Sequence, residues 1–406
     1  AVDGYPYRLK AWINHMANPM YGVPGLTALL KDKLSDPKVL PLIVSVDAFI
    51  NETTALSDYI VPDTVTYESW GMAGPWHDVK TKAVTARWPA VAPRTAKTED
   101  GRAICLEDFL IDLAKSLNLG GFGDKAIADA QGNWHGIHTA SDYYLRSAAN
   151  LAGGVPKASA EDIYLAGVDR MLPQMKQTLT QDELERVAFI FARGGRFENL
   201  TQKIRDGEFK YKYQKPVAIW NEKLGTAINT MTGERYSGCP KWFEQRLADG
   251  STYEQQFPKA DWPFTLTNFK SNIHSAVSNL SPRLNSIKGD NPVYIHPQDA
   301  AKLGIETGDK MVIETPTKAL TATAMLVDGI HQGTLGFEHG FGHTELGERA
   351  HWIGDKQQPV KMKTHQGVNI NDIGLIDPTR EGKGVVLDWV VGAAVRHALP
   401  AKVKRA

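Results

Sequence analysis

The residues best suited to chemistry lie in WPFTLTNFKSNIHSAVSNLSPRLN, positions 262–285. A short apolar strand, Phe264 to Leu266, runs into a loop carrying Thr267, Asn268, Lys270, Ser271, Asn272 and His274. Small amides and hydroxyls with one fixed positive charge suit an extended, anionic, nucleotide-like ligand, because they offer donors to phosphate and to base edges. The same spacing also fits an ordinary polar surface loop. What shifts the weight is a recurrence of the pattern at GVNIND, 367–372. The run His339-Gly-Phe-Gly-His343 has the spacing of a zinc helix, but its two glycines forbid the helix and no glutamate is placed to assist. It reads instead as a turn that lets backbone approach a ligand. Cys105 and Cys239 form no CxxC, so no zinc ribbon or iron–sulfur motif is present, and two free buried thiols are expected. GxSxG, HExxH and P-loop motifs are absent.

These side chains need a scaffold. Residues 8–16 read as a strand, 25–34 as a helix and 40–46 as a strand buried on both faces, a βαβ unit that implies a parallel sheet. Ligands lie at the carboxyl ends of such strands. Asn18 and Asp47 occupy those ends. Asp47 suits a ribose or guanine edge, or equally a cap on a helix read over 48–59. A loop at 66–93 carries Tyr67, Trp70, Trp76 and Trp88. An amphipathic helix follows at 106–117, closed by glycines. GGFG at 120–123 follows a helix and is no phosphate loop. Residues 124–180 read as largely helical, and Thr180 to Glu183 is a capping box opening a helix through Ala192. Few periodic signals occupy 197–258, with a possible strand at 216–220. Beyond 258 come closely spaced strands at 291–295, 310–314, 320–326 and 333–338, with one small helix at 297–303, the pattern of a small closed barrel.

The 406 residues carry 46 basic and 46 acidic side chains, a balance that argues against a nucleic-acid surface or a basic membrane patch. No apolar run reaches the roughly 20 residues of a membrane span. No signal peptide opens the chain, and its start reads as the middle of something, so a fragment or a processed chain is expected.

Several longer stretches carry a resemblance: ANP at 17–19, VDAFINETTALSDYIVPDTVTYESWG at 46–71, LTNFKSN at 266–272, NPVYIHPQDAAKLGIETGDKMVIETP at 291–316, FEHGFGHTELG at 337–347 and GVNINDIGLIDPTR at 367–380. Together they resemble the C-terminal part of the dimethyl sulfoxide reductase family of molybdopterin enzymes, over nearly the whole chain. The resemblance implies an α/β class fold. Residues 1–130 would be part of a doubly wound nucleotide-binding domain, 131–257 a mostly helical connector, and 258–406 a six-stranded-type β-barrel that closes over molybdenum held by two molybdopterin guanine dinucleotides.

It also implies that Asn18 and Asp47 contact a guanosine. Thr267, Asn268, Lys270, Ser271, Asn272 and His274 would contact pterin and pyrophosphate, Asn369 and Asn371 a pterin, and His339 the cofactor through its tight turn. Lys270 stands where the family usually has arginine, keeping the charge but losing the bidentate fork. The family's 4Fe-4S cysteines and its protein ligand to molybdenum lie upstream of these motifs. No metal ligand is expected in this chain, which is expected to be inactive alone and to work with the N-terminal remainder of the same subunit.

The branch signals are YESWGMAGPWHDVKTKAVTARWP, NEKLGTAINTMTGERYSGCP and GFGHTELGERAHW. They imply two-electron reduction of the sulfur–sulfur bond of tetrathionate to two thiosulfates, in anaerobic respiration. Arsenate or polysulfide/thiosulfate reduction and a non-catalytic nucleotide-binding module remain open. Arg87 and His77 are substrate-side candidates, with solvated surface charge as the alternative. The implied partners are an iron–sulfur electron-transfer subunit plus a membrane quinol-oxidising subunit, with no nucleic acid. The implied location is periplasmic, after twin-arginine export.

Overall fold

The structure is a computed structural model. It describes every residue except 1–3, 5–6, 76–81, 130, 199–203, 206–207, 210–218, 231, 276–277, 279, 354, 360–366 and 381–383. By contacts the chain forms two compact units, one of 1–45, 49–59 and 215–406, the other of 46–48 and 60–214.

A closed six-stranded barrel forms the heart of the first unit. Its strands follow the order Phe264–Phe269, Thr334–Glu338, Val293–Ile295, Ala319–Leu326, Lys310–Glu314 and Leu399–Arg405. Alternation explains the inward face: in Ala319–Leu326, Ala322 and Ala324 are buried while Ala319, Thr321 and Met325 face out. Leu266, Ile295, Met311, Ile313, Leu335, Phe337 and Leu399 fill the interior. The small helix is Pro297–Leu303, as read from sequence. Proline opens it, His296 Nδ1 accepts from the Gln298 amide at 3.1 Å, and Gly304 ends it at φ +63°. The last strand, Leu399–Arg405, was not anticipated, although Leu399, Ala401 and Val403 alternate inward.

In the N-terminal part, strands Trp12–His15, Ile43–Asp47 and Tyr59–Pro62 lie in that order in one small sheet. Helices Pro19–Gly22 and Leu26–Leu34 lie between the first two in sequence. The helix expected over 48–59 does not form. Asn51 Oδ1 accepts from the amides of Thr53 and Thr54 at 3.0 and 2.9 Å, and this local side-chain turn leaves only a short 3-10 turn at Thr54–Leu56. Asp47 therefore has no such helix to cap.

The second unit packs helices Ala140–Leu151 and Gln181–Ala192 around Leu145, Val168, Met175, Val187 and Ile190. It also holds helix Leu106–Ser116 and a three-stranded sheet of Gly71–Ala73, Ala83–Arg87 and Gly195–Phe197. The largely helical reading of 124–180 misses a hairpin, Gly123–Ala128 with Trp134–Ile137. Its turn is tied by Asp129 Oδ1, which accepts from the amides of Gln131 and Asn133. The expected strand at 216–220 falls largely outside the described residues, and its last two are not in a strand. Of the two cysteines, Cys105 is buried and free, but Cys239 is exposed rather than buried. No described helix is long and apolar enough to cross a membrane.

The capping box at Thr180 is formed. Its amide donates to Glu183 Oε2 at 2.9 Å, and the Glu183 amide donates back to Thr180 Oγ1. Thr180→Ala is expected to lower the stability of the second unit by about 1 kcal/mol in urea denaturation. An unchanged midpoint would show that the box adds nothing to this helix.

Candidate cofactor-binding site

Three segments of the first unit, far apart in sequence, meet at Tyr21. Its ring stacks on His343, with centroids 3.7 Å apart and planes 15° from parallel. Its hydroxyl donates to the Phe341 carbonyl at 2.8 Å. Its carbonyl accepts from Asn369 Nδ2 at 3.2 Å and Asn371 Nδ2 at 2.9 Å. Burial, then the charge of Glu52, pushes the phenol far above its usual pKa, so it remains a donor.

Glu52 is the second hub. Oε1 accepts from the Thr344 and Glu345 amides at 2.8 and 3.3 Å, and Oε2 from Asn18 Nδ2 at 2.6 Å. Both oxygens lie 3.1–3.2 Å from His343 Nδ1. Burial alone would raise the pKa of this carboxyl. The His343 bond and charge, then Asn18 and the Thr344 amide, outweigh it and hold the carboxyl at about 2.

The glycines of the HGFGH turn have positive φ, +104° at Gly340 and +70° at Gly342. A Cβ on Gly342 would lie 2.4 Å from the Asn369 amide nitrogen, so the turn sits directly on the Asn369 loop. Gly25 donates its amide to the Asn371 carbonyl at 2.8 Å.

This packing leaves buried polar atoms without partners among the described residues: His339 Nδ1, His274 Nδ1 and Asn371 Oδ1. Burial, then the positive charges of Arg396 and Lys270, lowers His339 to about 4, so its ring is neutral near pH 7. His274 Nε2 lies 2.8 Å from the Lys288 carbonyl and donates there, which leaves Nδ1 as the ring atom open to a ligand. An unsatisfied buried group costs about 1–3 kcal/mol. Such groups are a liability in a bare protein and an asset where a polar ligand supplies the missing partners.

The structure sorts the sequence candidates. Asn18, Asn369 and Asn371 join the Tyr21–Glu52 cluster. The amide of Asn18 is already used within the chain, for its oxygen accepts from Thr53 N and Oγ1. His339 neighbours Tyr21, at 6.1 Å between ring centroids. Thr267 Oγ1 lies 3.0 Å from His397 Nδ1, and Asn268 Nδ2 donates to the Arg396 carbonyl at 2.9 Å. Ser271 Oγ accepts from the amides of Ile273 and His274, which turns the loop, and Lys270 and Asn272 are exposed. Asp47 and Arg87 belong to the second unit. His77 lies outside the described residues.

Sequence reasoning missed Tyr21, Glu52 and Arg396, whose Nη2 donates to the Gly22 carbonyl at 2.9 Å. Asp129, His135 and Glu183 have metal-capable spacing among the described residues, but Arg146 already pairs with Glu183 at 3.0 Å.

Residues 265–384 match the family described as Molydopterin dinucleotide binding domain. The chain is 48% identical over 409 residues to a subunit of the tetrathionate reductase of Salmonella typhimurium, covering 100% of this chain and 40% of that protein. It is 26% identical over 437 residues to a subunit of the selenate reductase of Mesobacillus selenatarsenatis, covering 97% and 40%. The chain therefore spans about two-fifths of the length of these relatives. In fold it is similar to acetylene hydratase from Pelobacter acetylenicus, with a TM-score of 0.53 at 16% identity, over 100% of this chain and 45% of that one. A barrel built as expected, a polar cluster with open valences and this similarity along the whole chain agree: the chain belongs to the dimethyl sulfoxide reductase family, and its barrel carries the molybdopterin dinucleotide-binding domain.

Proposed function

We propose that this chain is the cofactor-binding C-terminal portion of a molybdenum oxidoreductase that reduces tetrathionate to two thiosulfates in anaerobic respiration. The observation that carries the reading is the 48% identity to the Salmonella tetrathionate reductase along the whole chain. The bound molybdopterin–molybdenum group supplies the two-electron redox chemistry. The residues described above fit such a group. His274 Nδ1 and Asn371 Oδ1 would accept from pterin N–H groups, His339 would lie against it, and Lys270 would face the pyrophosphate. Thr267, Ser271, Asn272 and Asn369 would complete that surface. The protein's task is to bind and orient the group and exclude water around it. Reduction of tetrathionate, a dianion, by two electrons to two thiosulfate dianions consumes no proton, so no proton donor is assigned.

The same reading places a guanine dinucleotide form of the cofactor, and a 4Fe-4S cluster in the longer subunit. It adds an iron–sulfur electron-transfer partner, a quinol-oxidising membrane partner and a periplasmic location. The test is to express the full-length subunit with its natural partners, measure molybdenum and released nucleotide, and assay thiosulfate formation with a reduced dye. Molybdenum, a guanine nucleotide and thiosulfate at the expected two per tetrathionate support the reading. The selenate reductase relative favours a second reading, an oxyanion reductase of another substrate. Turnover of selenate, arsenate or polysulfide without tetrathionate would select it. Bound nucleotide without molybdenum would leave a non-catalytic binder.

A further inference from the structure

A buried carboxylate is normally surrounded by donors, because a desolvated charge without them is costly. The first unit follows this rule at three acids. Asp299 accepts from the Gly333 amide at 2.7 Å, Asp377 from the Ala248 amide at 2.8 Å and Glu345 from Arg349 Nε at 2.6 Å. Glu338 departs from it. Its side chain is 1% exposed and pairs with Lys288 Nζ through Oε2. Its Oε1 has no partner, and no other carboxylate among the described residues leaves a buried oxygen open. Leu335 and Phe337 enter the barrel core, so alternation turns Glu338 to the outer face of its strand. Lys288 ties it to the site already described. The ammonium of Lys288 meets Glu338, and the carbonyl of the same residue takes His274 Nε2. One residue thus holds both the open carboxylate and the open His274 ring. His339 follows Glu338 in the chain. Asn291 Nδ2 joins the Glu338 carbonyl to the Val368 carbonyl of the Asn369 loop, at 2.8 Å each.

The open atoms select the ligand. Asn371 Oδ1 and the Glu338 carboxylate accept and cannot donate. Phosphate and pyrophosphate bring only oxygens and negative charge. A ring with adjacent N–H and NH2 groups brings the donors that are missing, and a charged acceptor strengthens the bonds. The 2-aminopyrimidinone ring has that edge and occurs in both pterin and guanine. We propose that Glu338, steadied by Lys288, binds the N–H and amino donors of a 2-aminopyrimidinone ring of the molybdopterin dinucleotide; this rests on the function proposed above. The carboxylate holds and orients the ring and takes no part in electron transfer.

The test uses the full-length subunit as wild type, Glu338→Gln and Lys288→Gln, made with cofactor and, in a host unable to make molybdopterin, without it. Molybdenum and pterin per subunit are measured on the first preparation, and the urea midpoint on the second. Glu338→Gln should lower bound cofactor about tenfold, because a charge-assisted bond to a buried acceptor is lost. Its cofactor-free midpoint should stay or rise, because a buried charge with an open valence is gone and Lys288, 23% exposed, can hydrate. Lys288→Gln strands the buried carboxylate and should lower the cofactor-free midpoint. Full cofactor content in Glu338→Gln beside a loaded wild type would overturn the proposal. So would a cofactor-free midpoint lowered as far as in Lys288→Gln, which would make Glu338 a strut for the loop alone. GDP binding to the cofactor-free subunit, by calorimetry, separates the two rings. Weaker GDP binding in Glu338→Gln assigns guanine to this carboxylate, and unaltered GDP binding with loss of cofactor assigns the pterin. A wild-type subunit that carries no molybdopterin would instead remove the function proposed above, and this assignment with it.

Discussion

Glu52→Ala is expected to cost the first compact unit about 3 kcal/mol or more, because it strips several donors of one charged acceptor at once. The His343 ring, the Asn18 amide and the Thr344 and Glu345 amides all converge on this carboxylate. His343 is buried, so water cannot readily replace the lost partner. Glu52→Gln keeps the shape and one acceptor and should cost roughly half as much. Denaturation of both variants against the wild type measures the difference.

Acid provides an independent check. The Glu52 carboxyl is depressed from its usual 4.5 to about 2 in the folded protein. Its contribution is therefore complete above pH 4.5 and is lost as pH falls through about 2. His339 is also depressed, from 6.5 to about 4. The unfolded chain takes up that proton first, so its destabilising effect grows as pH falls below 6.5 and is complete below about 4. Glu52→Gln should flatten the stability profile between pH 4.5 and 2 and leave the His339 region unaltered. A wild-type-like loss in the lower window would mean that Glu52 is not the hub.

Much of the barrel was legible because its signals are local. The alternation around Ala322 and Ala324 is a period of two. Pro297 and Gly304 punctuate a helix whose ends the structure places at Pro297–Leu303. Thr180 and Glu183 announce their cap within three residues. The errors were also local in origin. Residues 48–59 contain enough helix formers to suggest a helix, but Asn51 offers the backbone a competing turn. Leu399–Arg405 was passed over because its outward lysines mask an alternation that only matters once two barrel edges await it.

The site divides along the same line. Its loops stood out as runs of amides and hydroxyls. The charged hub did not, because Glu52 meets His343 across 291 positions and Arg396 meets Gly22 across 374. A residue whose meaning lies wholly in such a partner leaves no period or spacing to read. Glu52 lies inside one of the stretches that carried the family resemblance, but its role became visible only from the donors around it.

Gly342→Ala is expected to be the most damaging change in the HGFGH turn, lowering the stability of the first unit by about 4 kcal/mol. Two effects add. At φ +70° an L side chain is strained by about 1–2 kcal/mol. The new Cβ would also lie 2.4 Å from the Asn369 nitrogen and 2.6 Å from the Val368 carbonyl carbon. Those are backbone atoms, unable to swing aside as a side chain would, so the Asn369 loop must move bodily. Asn369 Oδ1 holds the Asn371 amide, and the Asn371 carbonyl holds Gly25, so the displacement reaches both asparagine contacts to Tyr21. Gly304 supplies the control. Its φ is +63°, yet nothing lies within 4 Å of where its Cβ would be. Gly304→Ala should therefore show the strain alone, about 1–2 kcal/mol. The difference between the two variants in chemical denaturation isolates the contact between the turn and the asparagine loop. Equal losses would mean that the turn does not rest on Asn369. A larger loss for Gly342→Ala, with less molybdopterin retained by the full-length subunit, would tie the tight turn to the ligand as well as to the fold.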